Sequence, residues 1–202
     1  MELLLSHSVV GLFFQVVPIS LLAGLVYAAG RYAVLQRRGI PVGWRTELLR
    51  VMFVCYVAGL VNLVLVPPNF WADFWYRTLV AGWSGWEPPR LFSGYFSLTP
   101  TFFRYLTGEF IGSPGAWVTT MLAGNFLMLV PMGVLLPLVF PTLRGRRMWA
   151  AAITIPLIIE LLQPIVGRSF DTDDLITNFL GILVGWGLLK LVQAVRKLRS
   201  PH

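Results

Sequence analysis

The chain has 202 residues, 56% of them hydrophobic, and only 12% are charged, against about 25% in an ordinary soluble domain. Sixteen Lys and Arg against nine Asp and Glu leave a formal charge of +7, and Cys55 is the single cysteine. These figures exclude a disordered chain, a disulfide scaffold and a nucleic-acid-binding domain, and too few polar residues remain to coat a soluble core. The class left is a polytopic membrane protein.

A helix crosses the hydrocarbon core with about 20 apolar residues. Five runs of that kind occur in chain order, over about 9–29, 48–66, 115–140, 148–166 and 174–193. Helices are expected because each satisfies its own backbone in lipid. The first run follows Glu2 and no Lys or Arg before Arg31, so it reads as a retained span, not a signal peptide. Ser113-Pro114 reads as an N-cap with proline at the first helical position. Pro131, Pro137 and Pro156 fall inside spans and call for neighbours that satisfy freed carbonyls. The fold class is therefore an all-α helical bundle of about five transmembrane helices. Its parts are two N-terminal spans joined by a basic loop (1–66), an aromatic outer loop (67–113), a three-span core (114–193) and a basic tail (194–202).

Charge sets the orientation. The segment Arg31–Arg50 holds Arg31, Arg37, Arg38, Arg45 and Arg50. Arg144, Arg146 and Arg147 follow the third span, and Lys190, Arg196, Lys197 and Arg199 mark the tail. These twelve of sixteen cations fall on one side of a five-span chain. The positive-inside rule then expects the N-terminus outside and the C-terminus in the cytoplasm. The basic balance thus reports topology and contact with anionic lipid, and no nucleic-acid partner is expected.

Half of the aromatic residues lie between residues 67 and 113. Aromatic side chains of this amphipathic kind favour the headgroup region. Thr99-Pro100 reads as another helix start that Gly108 could close, so one or two short interfacial helices are expected there. The segment is either a membrane-anchoring belt or the wall of a site for an amphiphile.

A small polar set is out of place in so apolar a chain. Glu160 lies within the fourth span, where an ionisable side chain costs on the order of 2.5–3.5 kcal/mol at the bilayer centre. Gln163 is three residues on and shares its face. Just beyond come Arg168, Asp171, Asp173 and Asp174. Asp171, Asp174, Asn178, Gly181 and Gly185 fall at intervals of three and four, one stripe of the last helix. Asn125 descends on the third span. Each has a plain structural use: the aspartates as caps, the amides as interhelical hydrogen-bond partners, Gly181-x-x-x-Gly185 as a packing notch. Capping and packing do not call for Glu160, which favours a ligand pocket over a purely structural network.

These residues carry a family resemblance. Asn125-x-x-x-x-x-Pro131-x-Gly133, Glu160-x-x-Gln163, Gly167-Arg168, Asp171-x-x-Asp174 and Asn178-x-x-Gly181-x-x-x-Gly185 resemble, in order and spacing, the VanZ-like family of bacterial membrane proteins. Phe96-Ser97-Leu98-Thr99-Pro100-Thr101-Phe102 loosely resembles the family's proline-containing segment before the third span. The resemblance implies a bacterial plasma-membrane protein and an association with reduced susceptibility to glycopeptides, notably the lipid-bearing teicoplanin.

Three functions compete. The first is binding of an amphiphile, a lipid-linked cell-wall precursor or a lipoglycopeptide, at an outer-leaflet pocket of Asn125, Glu160, Gln163, Arg168, Asp171, Asp174 and Asn178, with membrane lipids as standing partners. Arg168 would there meet an anionic headgroup. The second is an intramembrane enzyme with Glu160 as general base, in which Asp171 and Asp174 would hold a divalent cation at a phosphate-bearing headgroup. With only His7 and His202 in the chain, a histidine-rich metal site is not expected, nor is a serine triad around Ser169. The third, a small transporter subunit, lacks an inverted repeat.

Overall fold

The structure, a computed structural model, describes residues 9–67, 70–87, 90–101, 104 and 116–199. Helices dominate: α1 (Val9–Arg37), α2 (Trp44–Leu65), the short α3 (Phe70–Tyr76) with a wider π turn at Arg77–Ala81, α4 (Ala116–Val139), α5 (Arg146–Leu162) and α6 (Thr172–Arg199). Single 3-10 turns follow α4 (Pro141–Leu143) and α5 (Gln163–Val166). Two two-residue strands, β1 (Phe96–Ser97) and β2 (Phe170–Asp171), pair in parallel. Among the described residues five helices are long and apolar enough to cross a membrane, which is the expected architecture.

The helix ends differ from the sequence-based bounds. The basic segment at 31–50 is mostly helical, not a loop, because α1 runs on to Arg37 and α2 already starts at Trp44. Arginine is a good helix former, so hydropathy falls before the helix does. What stops α1 is Gly39, in the left-handed region at φ +62°. The Gly39 N–H bonds to the Gln36 carbonyl and the Ile40 N–H to the Leu35 carbonyl, both at 3.1 Å. That pair is a Schellman closure. The last helix opens at Thr172, two residues before the expected start at Asp174. The caps expected at Ser113-Pro114, and most of the helix expected from Thr99 to Gly108, lie outside the described residues. Of that segment, the described residues show the Arg104 N–H bonded to the Pro100 carbonyl at 3.3 Å.

The chain packs as two units. One comprises residues 1–93 with 165–168, the other 94–164 with 169–202. In the first, α1 and α2 form an antiparallel hairpin. It closes tightly where Gly24 faces Cys55 and Gly59 faces the Ser20 hydroxyl, and it buries Val16, Leu35, Leu60 and Val64. The aromatic segment adds α3, whose Phe74 has Trp71, Trp75 and Trp83 edge-on at 5.2–5.4 Å between ring centres. The returning strap at 165–168 docks on this unit through the Phe92 N–H and the Ile165 carbonyl, 2.9 Å.

In the second unit α4 and α6 run parallel with their backbones nearly touching. A Cβ on Gly181 would strike the Phe126 carbonyl, one on Gly185 the Val130 carbonyl, and one on Gly133 the Ile182 carbonyl. In a bilayer, where the hydrophobic effect does not drive helices together, such close approach replaces it with dispersion. Antiparallel to both, α5 contributes the fully buried Met148 and Ala152 to a core with Leu129 and Ile182. Trp149 packs edge-on to Trp186 at 5.9 Å. Pro131 and Pro137 stay within α4, and Pro156 within α5.

Candidate functional site

The polar cluster forms where α5 ends and α6 begins, at one end of the second unit. Glu160 is entirely without solvent exposure, Asn178 is 2% exposed and Gln163 5%. The approach to α6 is fixed by backbone pairing. Phe96 and Ser97 lie opposite Phe170 and Asp171, and the Phe170 N–H donates to the Tyr95 carbonyl at 2.9 Å. The rings of Phe96 and Phe170 stack at a tilt, 5.5 Å apart. The Thr172 hydroxyl lies 3.1 Å from the Ser97 carbonyl and 3.2 Å from that of Leu98.

On this frame Glu160 reaches the start of α6. Its Oε2 accepts the Asp171 N–H at 3.0 Å, and Oε1 receives a long contact from Asn178 Nδ2 at 3.5 Å. A buried carboxyl therefore serves an amide that the helix cannot satisfy itself. Asp171 Oδ1 accepts the Asp173 N–H at 2.9 Å, a capping bond. Asp173 Oδ2 takes the Thr101 N–H at 2.7 Å, tying the segment before α4 to the start of α6. Asn178 Oδ1 is buried and meets no donor among the described residues.

Burial pushes the Asp171 carboxyl above its ordinary range. The bond from Asp173 and the charge of Arg104 pull it back in part, while the Asp173 charge adds to the rise. Asp171, Asp173 and Asp174 are each half-buried. The cluster thus gathers carboxylate and amide oxygens, acceptors all, in buried and half-buried positions.

Of the residues singled out from the sequence, the structure joins Glu160, Asp171 and Asn178 directly. Gln163 closes α5 one turn after Glu160, its N–H on the Ile159 carbonyl. Asp174 lies in the first turn of α6. Asn125 is half-buried on α4, and the parallel register against Gly181 puts it within a turn of Asn178. Arg168 has another task. It belongs to the first unit, where its Nη1 donates to the carbonyls of Leu63 and Val66, both at 3.1 Å. That guanidinium caps the end of α2. Asp173 is marked in the sequence only as a helix cap, and Thr172 is not singled out there. Thr101 is signalled only by the Phe96–Phe102 segment. Among the described residues no three His, Cys, Asp or Glu side chains gather as a metal site.

A family model described as VanZ/LLP1 matches residues 47–193. The chain belongs to the VanZ/LLP1 family. The match runs from the first turn of α2 into the last third of α6, so it includes the whole polar cluster and leaves all of α1 outside. With its five spanning-length helices, this family member is a multi-pass membrane protein. No curated protein and no solved structure matches the chain.

Proposed function

We propose that this VanZ/LLP1 member binds an amphiphile of the bacterial plasma membrane and lowers susceptibility to glycopeptides by doing so. The ligand is a lipid-linked cell-wall precursor or a lipoglycopeptide. Its donor-bearing head meets the cluster of Glu160, Asp171, Asp174 and Asn178 on the outer side. The observation that carries this reading is the Asn178 carbonyl oxygen, buried beside Glu160 without a donor among the described residues. Leaving a buried acceptor unmet costs about 1–3 kcal/mol, and an incoming amine or hydroxyl would recover it. The carboxylates around it favour such donors over a bare phosphate, and Arg168, bonded to the end of α2, takes no part in this reading. The same charge balance supplies no support for an enzyme acting on phosphate-bearing heads with Glu160 as base.

The test is mass spectrometry of purified protein with its retained lipids, and with added teicoplanin carrying or lacking its acyl chain. Wild type is expected to retain the acylated form, and Glu160→Gln to retain about tenfold less, the loss of one charge-assisted hydrogen bond. Equal retention by wild type and Glu160→Gln would sink the proposal. A retained lipid recovered with its headgroup cleaved by wild type alone would favour the enzyme.

A further inference from the structure

A second polar arrangement lies in the first unit, at the turn end of the α1–α2 hairpin, separate from the cluster above. Arg31 makes a two-pronged pair with Glu47, Nε to Oε2 at 3.0 Å and Nη2 to Oε1 at 3.2 Å. The Arg50 guanidinium closes on the same Oε1. Two cations thus share one anion. The side chain of Glu47 is 14% exposed against 33% for each arginine. The anion is the covered member, and the outward edge of the triad is cationic. Arg37, Arg38 and Arg45 are exposed close by in sequence.

Directly beside this triad the two helices leave a cleft of about 170 Å³. Its walls are apolar: Ala28, Leu35, Val42, Leu48 and Val51. Arg31 and Glu47 also border it, so the charged edge and the apolar wall are parts of one surface. Trp44 and Tyr32, at 74% and 51% exposure, complete the rim. Both are residue types that settle at the level of lipid headgroups. The Schellman closure at Gly39 holds this end of the hairpin in place.

We propose that this cleft is a binding site for one anionic glycerophospholipid. The occupant follows from the two chemistries that meet there. A soluble anion would engage the arginines and leave the apolar wall unused, and a neutral lipid would use the wall and leave the cations unmet. A phosphate-bearing lipid uses both: an acyl chain lies along Ala28, Leu48 and Val51, and its headgroup meets the outward edges of Arg31 and Arg50. Guanidinium suits phosphate through its planar fork of donors.

The experiment counts lipid adducts by native mass spectrometry on the full chain, released from micelles holding equal amounts of phosphatidylglycerol and phosphatidylcholine. Wild type is expected to keep about fivefold more phosphatidylglycerol, the effect of the triad's one net positive charge. Arg50→Gln should bring the ratio close to parity. Glu47→Gln, which frees both guanidiniums, should raise it, a change that mere disruption of the hairpin would not produce. Arg146→Gln, on α5, should leave it unchanged. Parity in wild type overturns the proposal without any variant. So do equal losses in Arg50→Gln and Arg146→Gln, which would mean diffuse surface attraction. A lowered ratio in Glu47→Gln does the same, because the triad would then only brace the helices.

Discussion

Glu160 attracts attention in the sequence by its cost alone, and its contacts explain how the fold carries that cost. The Asp171 N–H stands at the edge of α6 with no helical partner, and the Glu160 carboxyl supplies one. Glu160→Leu removes that acceptor and should lower stability by about 1–3 kcal/mol, the penalty for an unmet buried amide. Glu160→Gln keeps a carbonyl for the Asp171 N–H, and Asn178 can turn its own oxygen toward the new amide group. Thermal unfolding in detergent should therefore rank wild type and Glu160→Gln close together and Glu160→Leu well below. Asp171 gives a prediction of opposite electrostatic character. Burial raises its folded pKa above the ordinary value, so over that range the native state binds a proton that the unfolded chain does not. Stability from this group is full below about pH 3.9 and is lost as pH rises through the raised value. In Asp171→Asn, which still offers an oxygen to the Asp173 N–H, that part of the slope should vanish. Unfolding midpoints measured from pH 3.5 to pH 7 would show it. An unchanged slope would mean that Asp171 titrates in the native protein as it does in the unfolded chain.

Helices were legible because composition, not fine periodicity, announces a span. Their ends were less so. Arg31, Arg37, Arg45 and Arg50 depress hydropathy yet sit in α1 and α2, since a polar residue can leave the hydrocarbon without leaving the helix. The stripe Asn178, Gly181, Gly185 was legible from spacing and is buried as a set. The β1–β2 bridge was not, because two residues of strand make no pattern and their partners are over seventy positions apart. The bond from Thr101 to Asp173 fails to announce itself for the same reason. Arg168 shows the other limit: sequence marks it as a cation beside a span but cannot show that α2 offers it two carbonyls. At this scale the sharpest test is the α4–α6 contact. Gly185→Ala and Gly133→Ala each push a methyl into a facing backbone and should cost about 1–3 kcal/mol through forced separation. Gly124 and Gly187, on the same two helices, have open space where a Cβ would go. Gly124→Ala and Gly187→Ala should be neutral or slightly stabilising, as alanine favours helix. Melting temperatures of the four variants in one detergent would separate these classes. Equal shifts would mean that the loss belongs to helix propensity and not to the close approach.

Across the whole molecule, charge and spans together make a claim about sides. In the three-helix unit, α4 and α6 run one way and α5 the other. The turn carrying Arg144, Arg146 and Arg147 therefore lies at the opposite end from Glu160 and the start of α6. The basic residues of α6 also fall at its far end. That helix has 28 residues, roughly 42 Å at 1.5 Å per residue, against about 30 Å of hydrocarbon. Its surplus length carries Arg196, Lys197 and Arg199 beyond the apolar region at the basic end. If the positive-inside rule holds, the Glu160 end faces outward, where an envelope amphiphile would meet it. Single cysteines test this in a Cys55→Ser background. Thr142→Cys marks the exposed basic turn, and Ser169→Cys marks the strap before α6. In intact cells an impermeant maleimide should label Ser169→Cys and spare Thr142→Cys until the membrane is opened. The reverse pattern would turn the acceptor cluster to the cytoplasm, and with it the class of amphiphile able to reach Asn178.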